Sequence, residues 1–161
     1  SQCMRNVVLT RIDERLIHGQ VMTSWLKLCN ANVILIIDSA SATNAFLKRI
    51  LFAAAPKDVE LLVMNEVDAT AYLKEEPALG EKVLILSKTP GPLLHALQNG
   101  VVFSEIILGN MGGGPGRTRF NKNISASPAE IQEFRDITAL GTPIYCQMVP
   151  SDSKEDIKRL L

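Results

Sequence analysis

The sequence predicts a single doubly wound α/β domain with a mostly parallel sheet of about six strands and helices on both faces. Three observations predict it. Short apolar runs alternate with helical patterns along the whole chain. Several runs are apolar without a break, as in Val33-Ile34-Leu35-Ile36-Ile37, which suits parallel strands covered on both faces. The 161 residues show no repeat, linker or low-complexity tract, and this length fits one core. One domain over residues 4–161 is expected, with residues 1–3 a cloning remnant ahead of Met4.

The strands are expected at residues 7–11, 33–38, 60–64, 82–87, 105–109 and 143–149. An order of 3-2-1-4-5, with further strands at one edge, is the expected arrangement. Between them lie helical patterns. Residues 19–28 carry Val21, Trp25 and Leu28 at i, i+4 and i+7. Residues 42–54 carry Ala42, Ala45, Phe46, Ile50 and Ala53 on one side, and residues 67–75 form a short helix. Residues 91–98 hold Leu93, Leu94 and Leu97. At 128–140, Ser127 is an N-cap, Pro128 stands at N1, Glu130 at N3, and Gly141 stops the helix. A last helix is expected at 153–161, and residues 117–124 add a short irregular or antiparallel strand.

The totals exclude some classes of function. Hydrophobic residues make up 47%, charged residues 21%, and the formal net charge is zero. That composition gives no support for a nucleic-acid partner, whose binder would show a basic excess. Cys3, Cys29 and Cys146 match no disulfide or zinc spacing, and the last two read as small core residues in a reducing compartment. No metal is expected, and no apolar run approaches the roughly 20 residues of a membrane span.

In open α/β sheets, ligands bind beyond the carboxyl ends of the strands. The segment after the first strand is Ile12-Asp13-Glu14-Arg15-Leu16-Ile17-His18-Gly19-Gln20. It gathers charge, one of two histidines, and a glycine where a helix begins. A neutral imidazole is a nucleophile that can accept a phosphoryl group and release it. Backbone N–H groups at the helix start and the helix dipole favour the negative charge of that group. Gly19 permits close approach, Arg15 offers a donor fork matched to phosphate oxygens, and Asp13 can orient Arg15 or the imidazole. Read from residue types alone, a surface or capping histidine and a solvated ion pair are the commoner readings, and a receiver-like module and a small-ligand module with no covalent step stand as alternatives.

The run Arg11-Ile12-Asp13-Glu14-Arg15-Leu16-Ile17-His18-Gly19-Gln20-Val21 resembles the active-site loop of the IIB components of the mannose/fructose/sorbose family of the phosphotransferase system. The resemblance extends from Met4 through the glycine-rich loop after Asn110 to the end. It implies that His18 accepts phosphate from a phosphohistidine on a IIA protein or domain. His18 would pass it to a sugar presented by the membrane IIC/IID components, on the cytoplasmic side and with no cofactor. Arg11, Asp13, Arg15, Gly19 and Gln20 are the phosphate-binding residues this implies. Most other IIB families use cysteine, and none of the three cysteines lies in this run.

Elsewhere, Ser87 and Lys88 follow the fourth strand and are expected to border the site. So are Asn110 and Gly112 after the fifth. The loop 111–117 lacks the G-K-[ST] ending of a nucleotide-binding loop. Arg117 and Arg119 read as solvated residues, with an acidic partner as the functional alternative. His95, in a helical pattern, reads as structural, and Asp38 as a helix cap.

Overall fold

All six runs expected as strands form in the computed structural model, which describes residues 4–161 except the side chains of Gln20 and Val21. They are β1 (Val7–Asp13), β2 (Val33–Ile37), β3 (Glu60–Met64), β4 (Val83–Ser87), β5 (Ile106–Asn110) and β8 (Ile144–Cys146). The expected remnant at residues 1–3, with Cys3, lies outside the described residues. The seven-stranded sheet has the order β3-β2-β4-β1-β5-β8-β9, where β9 (Glu155–Asp156) pairs antiparallel with β8 and the other pairs are parallel. A hairpin of β6 (Thr118–Asn121) and β7 (Ile124–Ala126) supplies the antiparallel strand expected near 117–124.

The order corrects the expected 3-2-1-4-5. β4 stands between β2 and β1, and β1 stands between β4 and β5. One feature of composition bears on it. β1 carries the buried charges Arg11 and Asp13, and its pairing with β5 sets Arg11 against Gly109. A Cβ at that glycine would lie 2.1 Å from Arg11 Nη2.

Helices cover both faces. On one side, α4 (Glu66–Leu73), α5 (Gly91–Gln98) and α6 (Pro128–Ala139) contribute Leu73, Leu93, Phe134 and Ile137 to a cluster with Ile12, Ile85 and Leu108. On the other, α1 (Gly19–Cys29) packs Met22 and Trp25 with Leu9, Ile36 and Leu86. Cys29 packs at the edge of that second cluster and Cys146 is buried in the first, as small core residues should be. Ser127 and Glu130 form the expected capping box of α6. Among the described residues, no helix is long and apolar enough to cross a membrane.

Two expected helices differ. The run 42–54 is divided into α2 (Ser39–Thr43) and α3 (Ala45–Ala54), because Asn44 is extended and its side chain accepts from Phe46 and Leu47 N–H. Asparagine competes with the backbone in this way and so starts helices better than it continues them. The helix expected at 153–161 is instead β9 followed by a 3₁₀ turn, Ile157–Arg159. Asp156 Oδ1 accepts from Lys158 N–H and turns the chain, and only Ile157 of the segment is fully buried, too little apolar surface to hold a full helix.

Candidate active site

β1 delivers its last charged residues to the carboxyl end of the sheet, where the topology rule places ligand sites. Asp13 is fully buried and gathers three partners. Arg15 donates Nε and its backbone N–H to Oδ1, at 3.1 and 3.0 Å, and Nη2 to Oδ2 at 3.0 Å. His18 Nε2 lies 3.1 Å from Oδ2, and Arg11 Nη2 lies 3.4 Å from the same oxygen. Burial acts to raise the Asp13 carboxyl, but the hydrogen bonds from Arg15 and His18 and the charge of Arg11 outweigh it and hold the group below the usual carboxylate range. The carboxylate is therefore ionised and can only accept, so the ring nitrogen facing it carries the proton. In the neutral ring the lone pair is then on Nδ1.

The two arginines sit differently. Arg11 is fully buried, stacks on Trp25 at 4.9 Å, and gives Nη1 to Gln147 O and Nη2 to Met148 O. Burial lowers its pKa to about 10, against the opposing charge of Asp13, so it remains a cation near neutrality. Its Nε has no partner among the described residues. Arg15 has a side chain 41% exposed, with Nη2 3.4 Å from Met148 Sδ. Two guanidinium groups around one carboxylate leave the cluster one positive charge in excess.

The loop between β1 and α1 is shaped by two residues with positive φ. Leu16, at φ 56, is buried and donates its N–H to Asp13 O; a leucine in this region is strained by roughly 1–2 kcal/mol and is kept there by its packing. Gly19, at φ 40, opens α1 with open space where a side chain would stand. His18 occupies the N-cap position, extended, with no side-chain bond to the helix amides. The N-cap side chain thus satisfies none of the first amides of α1. Gln20 is in that first turn, but its side chain lies outside the described residues.

The expected border residues are placed as follows. Ser87 pairs with Ile12 and is buried, donating Oγ to Thr89 O. Lys88 Nζ is 3.5 Å from Asp38 Oδ2, while Asp38 caps α2. Asn110 pairs with Asp13 and its carbonyl accepts from Glu14 N–H. Gly112 N–H donates to Glu14 Oε2 at 2.8 Å. His95 Nδ1 lies 3.9 Å from Glu66, on α5.

Three participants, Gly109, Met148 and Glu14, carried no assigned role in the sequence. Gly109 admits the Arg11 guanidinium, and Met148 receives bonds from Arg11 and Trp25. Glu14 and Arg117 form a 2.7 Å ion pair. Arg117, read as solvated, is in fact largely buried by that pair and by Glu130, whose hydrogen bond raises its pKa. The signal for the pair was available in kind, as a charged residue beside a glycine run, but its partner is about a hundred positions away.

Comparison with known proteins bears on this site. The family model for the sorbose-subfamily IIB component of the phosphotransferase system matches residues 7–161. The chain is 32% identical over 151 residues to the sorbose-specific EIIB component of Klebsiella pneumoniae, covering 94% of this chain and 92% of that one. The mannose-specific EIIAB component of Escherichia coli strain K12 is 30% identical over 91% of this chain and 45% of its own length. The crystal structure of the Klebsiella pneumoniae IIB domain superposes with a TM-score of 0.86 at 32% identity, covering 94% of this chain and 93% of that one.

Proposed function

The chain belongs to the sorbose-subfamily IIB components of the phosphotransferase system, and on that premise we propose that His18 is its phosphoryl carrier. Membership implies phosphoryl transfer in sugar uptake, together with IIA and IIC/IID components. The finer reading is that His18 takes the group from a phosphohistidine on IIA. It then gives it to a sugar held by IIC/IID at the cytoplasmic face of the membrane.

The observation that carries this reading is the pairing of His18 Nε2 with the buried Asp13 carboxylate. It supports Nδ1 as the nucleophile. The Nδ1 lone pair forms the new P–N bond while the P–N bond to the donor imidazole breaks, and the electron pair of that bond returns to the donor ring. Asp13 meets the positive charge that develops on the His18 ring and fixes its orientation. Arg15, half in solvent, can take phosphoryl oxygens through its open edge, and the uncapped amides of α1 can take others. Arg11 supports from beneath, holding Asp13 and the segment at Gln147–Met148. The donor P–N bond already holds an activated group, so positioning and charge stabilisation suffice, without metal or nucleotide.

The test is incubation with the general phosphotransferase proteins, a cognate IIA and labelled phosphoenolpyruvate. The label should be lost in acid, survive alkali and map to His18. It should vanish in His18→Ala and persist in His95→Ala. Label that remains on the His18→Ala chain would overturn the assignment.

A further inference from the structure

The glycine loop after β5 has little of its own to hold it. A Cβ added at Gly113, Gly114 or Gly116 would meet nothing within 4 Å, and Gly116 has φ 78. Such a run loses much chain entropy on ordering and has no side chains to repay it. Its fixed shape must therefore come from what reaches it. Glu14 does so from the phosphoacceptor loop, accepting from Gly112 N–H with Oε2 and from Arg117 Nη1 with Oε1 at 2.7 Å. Arg117 Nη1 also donates to Gly112 O at 2.8 Å. Its Nε and Nη2 form a fork on Glu130, at 3.0 and 2.8 Å. Glu130 in turn accepts from Ser127 N–H in the cap of α6. A Cβ at Gly112 would lie 2.8 Å from Glu14 Oε2, so any larger residue there would push the Glu14 carboxylate aside.

One arginine thus ties three pieces together: the loop that carries His18, the glycine loop, and the start of α6. The result is more than a surface ion pair, since Arg117 and Glu130 are only 15% and 13% exposed and the fork is bidentate. Beside the clamp lies an open groove of about 540 Å³, lined by Gly112, Gly113, Arg117, Arg119 and Lys122. The same loop therefore forms one wall of a groove that also includes Asn110, the strand partner of Asp13.

We infer that Glu14 and Arg117 are positioning residues for phosphoryl transfer, locking residues 112–117 against the His18 loop so that one surface meets the phosphate donor. This rests on the carrier role proposed above. The Glu14 carboxylate bonds to Gly112 and Arg117 rather than to the charged cluster at Asp13, so its effect falls on docking rather than on the chemical step. Were the freed loop in its docking-competent shape about a tenth of the time, the KM for phosphorylated IIA would rise roughly tenfold with kcat nearly unchanged.

The experiment compares the full chain with Glu14→Gln, Arg117→Met and the double variant. It reads KM and kcat for transfer from phosphorylated IIA, thermal melts, and hydrogen exchange at the Gly112 amide. The expected result is a tenfold KM rise for Glu14→Gln with an ordinary melt, faster Gly112 exchange, and a double variant no worse than Arg117→Met. A wild-type KM in Glu14→Gln, with exchange at Gly112 accelerated, would overturn the inference. So would an unprotected Gly112 amide in the wild-type chain. If wild-type His18 takes no label at all, the carrier role fails, and the exchange measurement alone then decides whether the clamp exists.

Discussion

Two strand-to-helix junctions in this domain begin alike and end differently. β1 and β2 each lead into an aspartate at the carboxyl end of the sheet, Asp13 and Asp38, with a helix after it. Asp38 sits directly before α2 and accepts from Ser41 N–H, so the helix start is satisfied locally. Asp13 stands six residues ahead of α1. Its oxygens go to Arg15, His18 and Arg11, and the N-cap residue of α1 gives the helix amides no side-chain acceptor. One junction uses its carboxylate to close a helix end. The other uses it to hold a histidine and two cations beside an open helix end, which is what an anion needs.

The comparison breaks most visibly by removing both carboxylates in turn. Asp13→Ala leaves Arg11 buried without its counter-charge and should destabilise the domain by about 3–5 kcal/mol. Asp38→Ala removes a cap and should cost about 1 kcal/mol. Asp13→Asn, which keeps the size, should still transfer phosphate far more slowly, whereas Asp38→Asn should transfer normally. Urea melts and single-turnover transfer check both halves. Acid adds a further reading. The folded Asp13 carboxyl lies below its unfolded value, so its contribution is fully present above the ordinary aspartate range near pH 4 and is lost as pH falls through the folded value. Melts of the wild-type chain should fall below about pH 4 more steeply than those of Asp13→Asn.

A smaller effect sharpens the contrast between the two arginines. Arg15→Lys keeps charge but loses the fork, so transfer should slow by roughly 10²–10³, equal to about 2–4 kcal/mol. Its side chain is 41% exposed, so stability should move by less than about 1 kcal/mol. A variant that melts normally and transfers at wild-type speed would show that backbone amides hold the phosphoryl group without Arg15.

What the sequence made legible follows the same division. The junction after β1 could be read because its chemistry is contiguous: Asp13, Arg15, His18 and Gly19 lie within seven positions. All six parallel strands and the capping box of α6 were legible from local patterns. The order of β4 and β1 was not, since neighbours in a sheet are selected by tertiary fit, here by the fit of Arg11 against Gly109. The support at Met148 and the Arg117 clamp join residues more than a hundred positions apart, which no window along the chain contains. The final segment misled because Asp156 turned it locally before any helix could form.

The smallest effect tests whether the open end of α1 is a sacrifice of stability. Serine is among the best N-cap residues, and His18 holds the N-cap position without a side-chain bond to the amides. In His18→Ser the hydroxyl should accept from an amide of the first turn, gaining about 0.5–1 kcal/mol. The substitution also removes the imidazole from Asp13, but Arg15 and Arg11 still pair that carboxylate, so little should be lost there. The net expectation is a melting temperature raised by about 1–4 °C in a chain that takes no label. Asp38→Ser at the other junction should transfer normally and show no such rise, because a working cap is only exchanged for another. A lower melting temperature for His18→Ser would mean that the bond between His18 and Asp13 stabilises the fold by more than a cap does. The histidine would then be held for structure as well as for transfer, and the difference between the two junctions would not be a trade of stability for function.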